Sequence, residues 1–143
     1  MSSGLYRQHI FNERGEMKMP ITVLIVDDEE IVRKLIRVAL KGSRDVVFLE
    51  AKDGAEALKV AREHREPIHL LISDVVMPGR MNGTEMAAQL SQSHSDMKVV
   101  MMSAYTPESI TMKPDWHFIQ KPFGTPEIRE RIGSVLDRQS VAA

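Results

Sequence analysis

Five short apolar runs mark the chain, and longer amphipathic segments separate them. The runs are continuous rather than alternating, and most are rich in β-branched residues. Strands of a parallel sheet have this pattern because both of their faces are buried. The sequence therefore predicts five parallel strands, over residues 22–27, 45–50, 69–74, 98–103 and 116–120.

The segments that follow the strands predict five helices. The first helix is expected to bury a face that includes Ile31, Leu35, Val38 and Ala39. The second is expected to begin at Asp53, the third at about Thr84, and the last with Thr125 as its N-cap before Pro126. The fourth, between residues 106 and 112, is short and weakly patterned.

This alternation of strands and helices predicts an α/β fold, a doubly wound five-stranded parallel sheet of the (βα)5 type. Right-handed crossovers favour the flavodoxin-like strand order 2-1-3-4-5. The folded domain is expected over residues 20–139. Residues 1–19 are interpreted as a flexible N-terminal extension and residues 140–143 as a C-terminal tail.

Composition removes several classes of function. Nineteen basic against 20 acidic residues give a net charge of −1, so direct nucleic acid binding is not expected. The absence of cysteine excludes disulfides, thiolate metal sites and cysteine nucleophiles. The apolar runs are too short for a membrane span and no secretory signal is visible, so we expect a cytoplasmic domain with no membrane contact.

Chemically active side chains follow the ends of four predicted strands. They are Asp27 and Asp28, Asp74, Ser103 and Lys121. In doubly wound sheets these ends share one edge, where three carboxylates would repel one another without a cation. Oxygen ligands without His or Cys suit Mg²⁺. With Lys121 and Ser103 available to contact phosphoryl oxygens, Asp74 is a candidate nucleophile for phosphoryl transfer.

Motifs at these positions resemble the receiver domain of two-component response regulators, of the chemotaxis-regulator type. The motifs are VDDE at 26–29, DVVMPG at 74–79, MNG at 81–83, MSAY at 102–105 and KPF at 121–123. The resemblance implies a signalling switch in which Asp74 accepts a phosphoryl group from a histidine kinase or a histidine phosphotransfer protein, with Mg²⁺. Such a domain is a phosphoacceptor that assists its own phosphorylation and dephosphorylation, rather than an enzyme with a separate substrate.

The resemblance also implies a role for each site residue. The expected Mg²⁺ ligands are Asp27 (often through water), Asp28, Asp74 and the carbonyl of Val76. Ser103 and Lys121 are expected to contact the phosphoryl group, and the Lys121–Pro122 bond is often cis in this family. Phe118 is expected to turn inward as Ser103 moves, which changes the face made by the fourth helix, the fifth strand and the fifth helix.

Three departures from the family pattern modify these expectations. Arg80 is an extra residue, as in receivers attached to hybrid histidine kinases. The span from Ser103 to Lys121 is short by roughly one helical turn, so the fourth helix is expected to be short, shifted or partly unwound. We therefore expect mostly a monomer, without the common dimer through the fourth and fifth helices, and leave dimerisation by another surface open. Apolar Val76 and bulky Tyr105 predict slow loss of the phosphoryl group.

Other functions stay open at this point. An atypical receiver that only docks to proteins is favoured by the shortened fourth-helix region but disfavoured by the intact set of site residues, which are Asp27, Asp28, Asp74, Ser103 and Lys121. An aspartate-nucleophile phosphatase is disfavoured by the absence of room for a cap domain. A flavodoxin is disfavoured because the acidic residues 27–30 would repel the flavin phosphate. The sequence does not identify the cognate kinase or the output, nor whether the domain stands alone or belongs to a longer protein.

Overall fold

A five-stranded parallel sheet forms the centre of the computed structural model, which describes residues 20–42 and 45–142, with side chains up to residue 136. The strands are β1 (Ile21–Val26), β2 (Val46–Ala51), β3 (Leu70–Asp74), β4 (Lys98–Ser103) and β5 (His117–Gln120). Every neighbouring pair is parallel, and the order is β2-β1-β3-β4-β5. The predicted sheet and strand order are confirmed, and each strand end lies within one residue of its expected place.

Four α-helices accompany the sheet, so the fifth predicted helix is a correction to the (βα)5 expectation. The helices are α1 (Glu30–Leu40), α2 (Gly54–Glu63), α3 (Gly83–Ser93) and α4 (Thr125–Ala142). Between β4 and β5 the chain forms only a 3₁₀ turn, Pro107–Ser109. This connection is mostly exposed, only the half-buried Ile110 and Met112 pack against the core, and Pro114 opposes a longer helix.

The buried face of α1 also differs from the expectation. Ile31 is 75% exposed and Val38 is 53% exposed, whereas Ile36, Ala39 and Leu40 are buried. These three residues continue a stripe that begins at the partly buried Val32 and Leu35. The apolar residues of α1 form one broad side of the helix, and Ile31 and Val38 lie at the edge of that side that does not reach the core.

Two helix starts test the capping predictions. Asp53 caps α2 as expected, because its Oδ1 accepts from the Glu56 N–H at 2.8 Å. The expected N-cap of α4 is wrong by one residue. The carbonyl of Gly124, not of Thr125, accepts the first helical hydrogen bond, from the Ile128 N–H at 3.2 Å.

Apolar side chains fill both sides of the sheet. One core lies under α2 and α3, and the other lies under α1 and α4. Successive residues of the central strands enter opposite cores, as Leu24 and Ile25 do. This double burial explains the continuous apolar runs. Within the described residues, no helix combines the length and the apolar character that a membrane crossing requires.

Candidate functional site

Backbone hydrogen bonds carry the sheet past its last paired residues and bring four strand ends to one edge. The Asp27 N–H donates to the carbonyl of Ala51 at 3.1 Å, and the Lys121 N–H donates to the carbonyl of Ser103 at 2.8 Å. Asp74 is the last residue of β3 and lies beside Met102 of β4. The residues after β1, β3, β4 and β5 therefore share one edge.

Three carboxylates cluster at this edge. One oxygen from each of Asp27, Asp28 and Asp74 lies within 4.8 Å of the other two. Asp27 is fully buried and Asp74 is nearly so, whereas Asp28 is exposed. An all-oxygen set that is open to solvent on one side suits Mg²⁺, which keeps several of its waters in protein sites.

Both carboxylate oxygens of Asp27 already have partners within the protein. Its Oδ1 accepts from the Glu29 N–H at 2.9 Å, and its Oδ2 accepts from Lys121 Nζ at 2.8 Å. The Asp28 carboxylate has no such partner among the described residues. Asp28 is therefore better placed than Asp27 to contact a cation directly.

Lys121 bridges the two buried carboxylates. Its Nζ lies 2.8 Å from Asp27 Oδ2 and 3.4 Å from Asp74 Oδ2. Burial by itself lowers the pKa of Lys121, but the hydrogen bond and charge of Asp27, with the charge of Asp74, outweigh it and raise the pKa. The ammonium therefore stays charged at neutral pH. The Lys121–Pro122 peptide bond is cis, as the resemblance implied.

Asp74 is a partly desolvated carboxylate. Burial raises its pKa and the charge of Asp27 raises it further, while the charge and hydrogen bond of Lys121 and the Val76 N–H act in the opposite direction. The net effect is a raised pKa. A cation bound beside Asp74 would stabilise its charged form, which is the nucleophilic form.

The remaining predicted residues lie around this cluster. The buried Ser103 hydroxyl accepts a hydrogen bond from the Tyr105 N–H at 3.0 Å. Phe118, in β5, is half-buried against the core under α2 and α3. Val76 follows β3, and its side chain is 58% exposed. The roles expected for Ser103, Phe118 and the Val76 carbonyl stay predictions.

Two contacts at the site were not expected from the sequence. Gly83 begins α3 against the backbone of Asp74, and Arg33 of α1 donates to the carbonyl of Asp27 at 2.8 Å. The Asn-Gly pair at residues 82 and 83 and the spacing to Glu85 were visible signals for the first contact. The second contact, between Arg33 and the Asp27 carbonyl, forms only because the fold brings α1 against the loop after β1, and no local sequence pattern predicts it.

Comparison with known proteins identifies the same family that the sequence motifs resemble. The family model described as "Response regulator receiver domain" matches residues 23–133. The sensor kinase CckA of Brucella abortus (strain 2308) is 32% identical over 122 residues, which are 82% of this chain and 13% of that protein. The alkaline phosphatase synthesis transcriptional regulatory protein PhoP of Bacillus subtilis (strain 168) is 32% identical over 127 residues, 85% of this chain and 50% of that protein.

Solved structures share the fold as well as the sequence pattern. The crystal structure of the receiver domain from the hybrid histidine kinase CckA matches with a TM-score of 0.62 and 33% identity. That match covers 80% of this chain and 98% of the other. By contrast, this chain spans about half or less of the length of the two curated relatives described above.

Proposed function

The chain belongs to the response regulator receiver domain family of two-component systems, and from this premise we propose that it is a phosphoacceptor switch with Asp74 as the phosphorylated residue. One observation carries the proposal: Asp27, Asp28, Asp74 and Lys121 converge at the carboxyl edge of the sheet. Positioning and charge neutralisation are most of what phosphoryl transfer requires from a protein.

The residues at this edge fit Mg²⁺. Three carboxylates face one ammonium, which leaves an excess of two negative charges in a partly buried place. In the proposal Asp28, Asp74 and the Val76 carbonyl hold the ion, and Asp27 acts through water because both of its oxygens are engaged. When bound, Mg²⁺ neutralises charge on the phosphoryl oxygens.

In the proposed reaction, a carboxylate oxygen of Asp74 attacks the phosphorus of a phosphohistidine. The new bond joins oxygen to phosphorus, and the phosphorus–nitrogen bond breaks. The electron pair of that bond returns to the imidazole, which takes up a proton from solvent. In the proposal Lys121, whose Nζ lies 3.4 Å from Asp74 Oδ2, pairs with a phosphoryl oxygen.

We propose that Ser103 transmits the change. The hydroxyl can accept from the Tyr105 N–H and donate to a phosphoryl oxygen at once, so a shift of Ser103 toward the phosphoryl group would pull, through that hydrogen bond, on the exposed connection between β4 and β5. Movement there would allow Phe118 to turn inward. The response would then reach the surface near β5, without the α-helix that the resemblance placed there.

The proposed partner is a protein that carries phosphohistidine, either a histidine kinase or a histidine phosphotransfer protein. A location in the cytoplasm is part of the same proposal.

A second candidate function is that of a docking domain that works without phosphorylation. The absence of an α-helix between β4 and β5 favours it, because the surface that would read out phosphorylation is altered.

Phosphorylation by a small donor tests the proposal. The protein is treated with acetyl phosphate with and without Mg²⁺, and intact mass is measured for the wild type, Asp74→Asn and Asp96→Asn. Asp96 is a matched control because it is an exposed acidic residue before β4, at the opposite end of the sheet. We expect a gain of one phosphoryl group in the wild type and in the control, only with Mg²⁺. No gain in the wild type, or an equal gain in Asp74→Asn, would favour the docking function.

A further inference from the structure

We infer that Arg33 is a positioning residue of the acidic site, which orients the Asp27–Asp28 peptide for a divalent cation. The inference rests on the proposed function and deepens it. Arg33 Nη1 donates to the carbonyl oxygen of Asp27 at 2.8 Å. Arg33 Nε donates to Glu50 Oε1 at 2.9 Å. One guanidinium therefore joins α1, β2 and the loop after β1.

The contact acts on Asp28 through the peptide plane. The carbonyl of Asp27 and the nitrogen of Asp28 belong to the same planar unit, so a fixed carbonyl fixes the direction in which Asp28 leaves it. Asp27 is also held by Lys121 and by the Glu29 N–H. Asp28 is exposed and its carboxylate has no partner among the described residues, so its position depends on the backbone that Arg33 holds.

Arg33 is itself held in place. Its side chain is largely buried, and its Nε lies 2.9 Å from Glu50 Oε1, whereas Arg37 contacts the other carboxylate oxygen, Oε2, at 2.6 Å, so the Arg33 contact does not require Arg37. A planar guanidinium with several fixed donors can bind a carboxylate and a carbonyl at once. A lysine ammonium on a flexible stem cannot hold both partners in this geometry.

Charge and geometry predict opposite effects for the loss of Arg33. A positive charge behind the acidic cluster repels Mg²⁺, so its removal by charge alone would tighten Mg²⁺ binding. Loss of the hydrogen bond that orients the Asp27–Asp28 peptide would weaken Mg²⁺ binding, because residues that orient metal ligands typically affect metal affinity about 10- to 100-fold. Arg33→Lys keeps the charge and loses the geometry, which separates the two effects.

The experiment measures the Mg²⁺ dissociation constant by titration calorimetry for the full chain, with Arg33→Gln, Arg33→Lys and Arg37→Gln. Arg37 is the matched control because it contacts Glu50 in the same way but has no contact with Asp27. Both Arg33 variants are expected to raise the Mg²⁺ dissociation constant about tenfold, and Arg37→Gln to leave it near the wild-type value. Urea unfolding of each variant separates this effect from general loss of stability.

Phosphorylation by acetyl phosphate supplies a second readout. In the Arg33 variants the Mg²⁺ concentration for half-maximal rate is expected to rise, while the rate at saturating Mg²⁺ stays close to wild type. Unchanged or tighter Mg²⁺ binding in these variants, or equal weakening in Arg37→Gln, overturns the inference. If the wild type binds Mg²⁺ and the Arg33 variants bind it weakly, but Asp74 is not phosphorylated, the proposed function fails while the inference stands. Absence of Mg²⁺ binding in the wild type overturns both.

Discussion

Gly83 lies so close to Asp74 that a Cβ atom at position 83 would overlap the Asp74 carbonyl oxygen. The Gly83 N–H also donates to the carbonyl of Val75 at 2.8 Å. The first turn of α3 is therefore packed directly on the backbone at the end of β3. The position of Asp74, the proposed phosphoacceptor, therefore depends on the absence of a side chain at Gly83.

Replacement of Gly83 by alanine is expected to damage both stability and chemistry. The methyl group must displace backbone rather than a flexible side chain, and overpacking of this kind costs about 1–3 kcal/mol of the free energy of unfolding. The same displacement moves Asp74 relative to Lys121 and slows phosphorylation by acetyl phosphate. Urea unfolding and intact mass measure the two effects, and a variant with wild-type stability and rate would contradict the packing argument.

Replacement of Gly133 by alanine is the matched control, with the opposite expected sign. Gly133 lies inside α4, and a Cβ atom there would meet no heavy atom within 4 Å. The position borders an apolar cavity of about 160 Å³ that Ile132 and Leu136 also line. Alanine is favoured over glycine in a helix interior by about 1 kcal/mol, so urea unfolding should show a gain of that order. A loss of stability would mean that the backbone at Gly133 is not an ordinary helical one.

The sequence predicts those features of the fold that are set by residues close together in the chain, and not those that are set by packing between distant elements. The sheet was predictable because β1, β3 and β4 each contain a continuous apolar run, at residues 23–26, 70–72 and 99–102. The acidic edge was predictable because parallel strands end on the same side, which brings Asp27, Asp74 and Lys121 together. The rotation of α1 was not, because Ile31 and Val38 are apolar yet exposed. Their exposure depends on how the helix packs against the sheet and α4.

Contacts between distant residues were also outside the reach of pattern analysis. The ion pair between Arg33 and Glu50 joins two elements that meet only in the folded chain. The connection between β4 and β5 was expected to be short, and the 3₁₀ turn at Pro107–Ser109 shows how little helix it retains. The sequence could predict a shortage of residues there, but not which backbone conformation would replace the helix.

His69 gives the fold a pH dependence that is independent of the acidic edge. Its Nδ1 accepts a hydrogen bond from the Thr22 N–H at 3.0 Å, and burial lowers its pKa below the ordinary value of 6.5. The unfolded chain therefore binds more protons between the folded and unfolded pKa values. The free energy of unfolding should fall as the pH is lowered through and below 6.5.

His69→Asn isolates this contribution, because an asparagine oxygen can accept from the Thr22 N–H without titrating in this range. We expect its stability to vary less with pH than that of the wild type, as measured by urea unfolding between neutral and mildly acidic pH. Parallel curves for the two proteins would show that His69 is not the titrating group.

The structure also leads us to expect a monomer before and after phosphorylation. The apolar side chains of α4, which include Ile128 and Ile132, are buried against the sheet. The neighbouring connection has no α-helix to complete a paired surface. Light scattering with and without a beryllofluoride mimic of the phosphoryl group should give the monomer mass in both states. A symmetric dimer that forms only with the mimic and uses α4 would contradict this prediction.

Loss of the phosphoryl group is expected to be slow, because the side chains beside Asp74 are poor at orienting water. Val76 is 58% exposed and Tyr105 is 63% exposed, and both line a cavity of about 390 Å³ that Val75, the residue after Asp74, also lines. Hydrolysis needs a water molecule held in line with the bond that breaks, and neither the isopropyl group nor the aromatic ring of these residues holds one there.

Val76→Asn adds an amide that can hold such a water molecule, and should shorten the phosphoryl lifetime about tenfold through positioning alone. Val47→Asn, on the exposed face of β2, is the control for the same change in polarity and should leave the lifetime unaltered. Intact mass followed over time after removal of acetyl phosphate measures the decay, and a wild-type lifetime of seconds would show that water reaches the acyl phosphate without help from position 76.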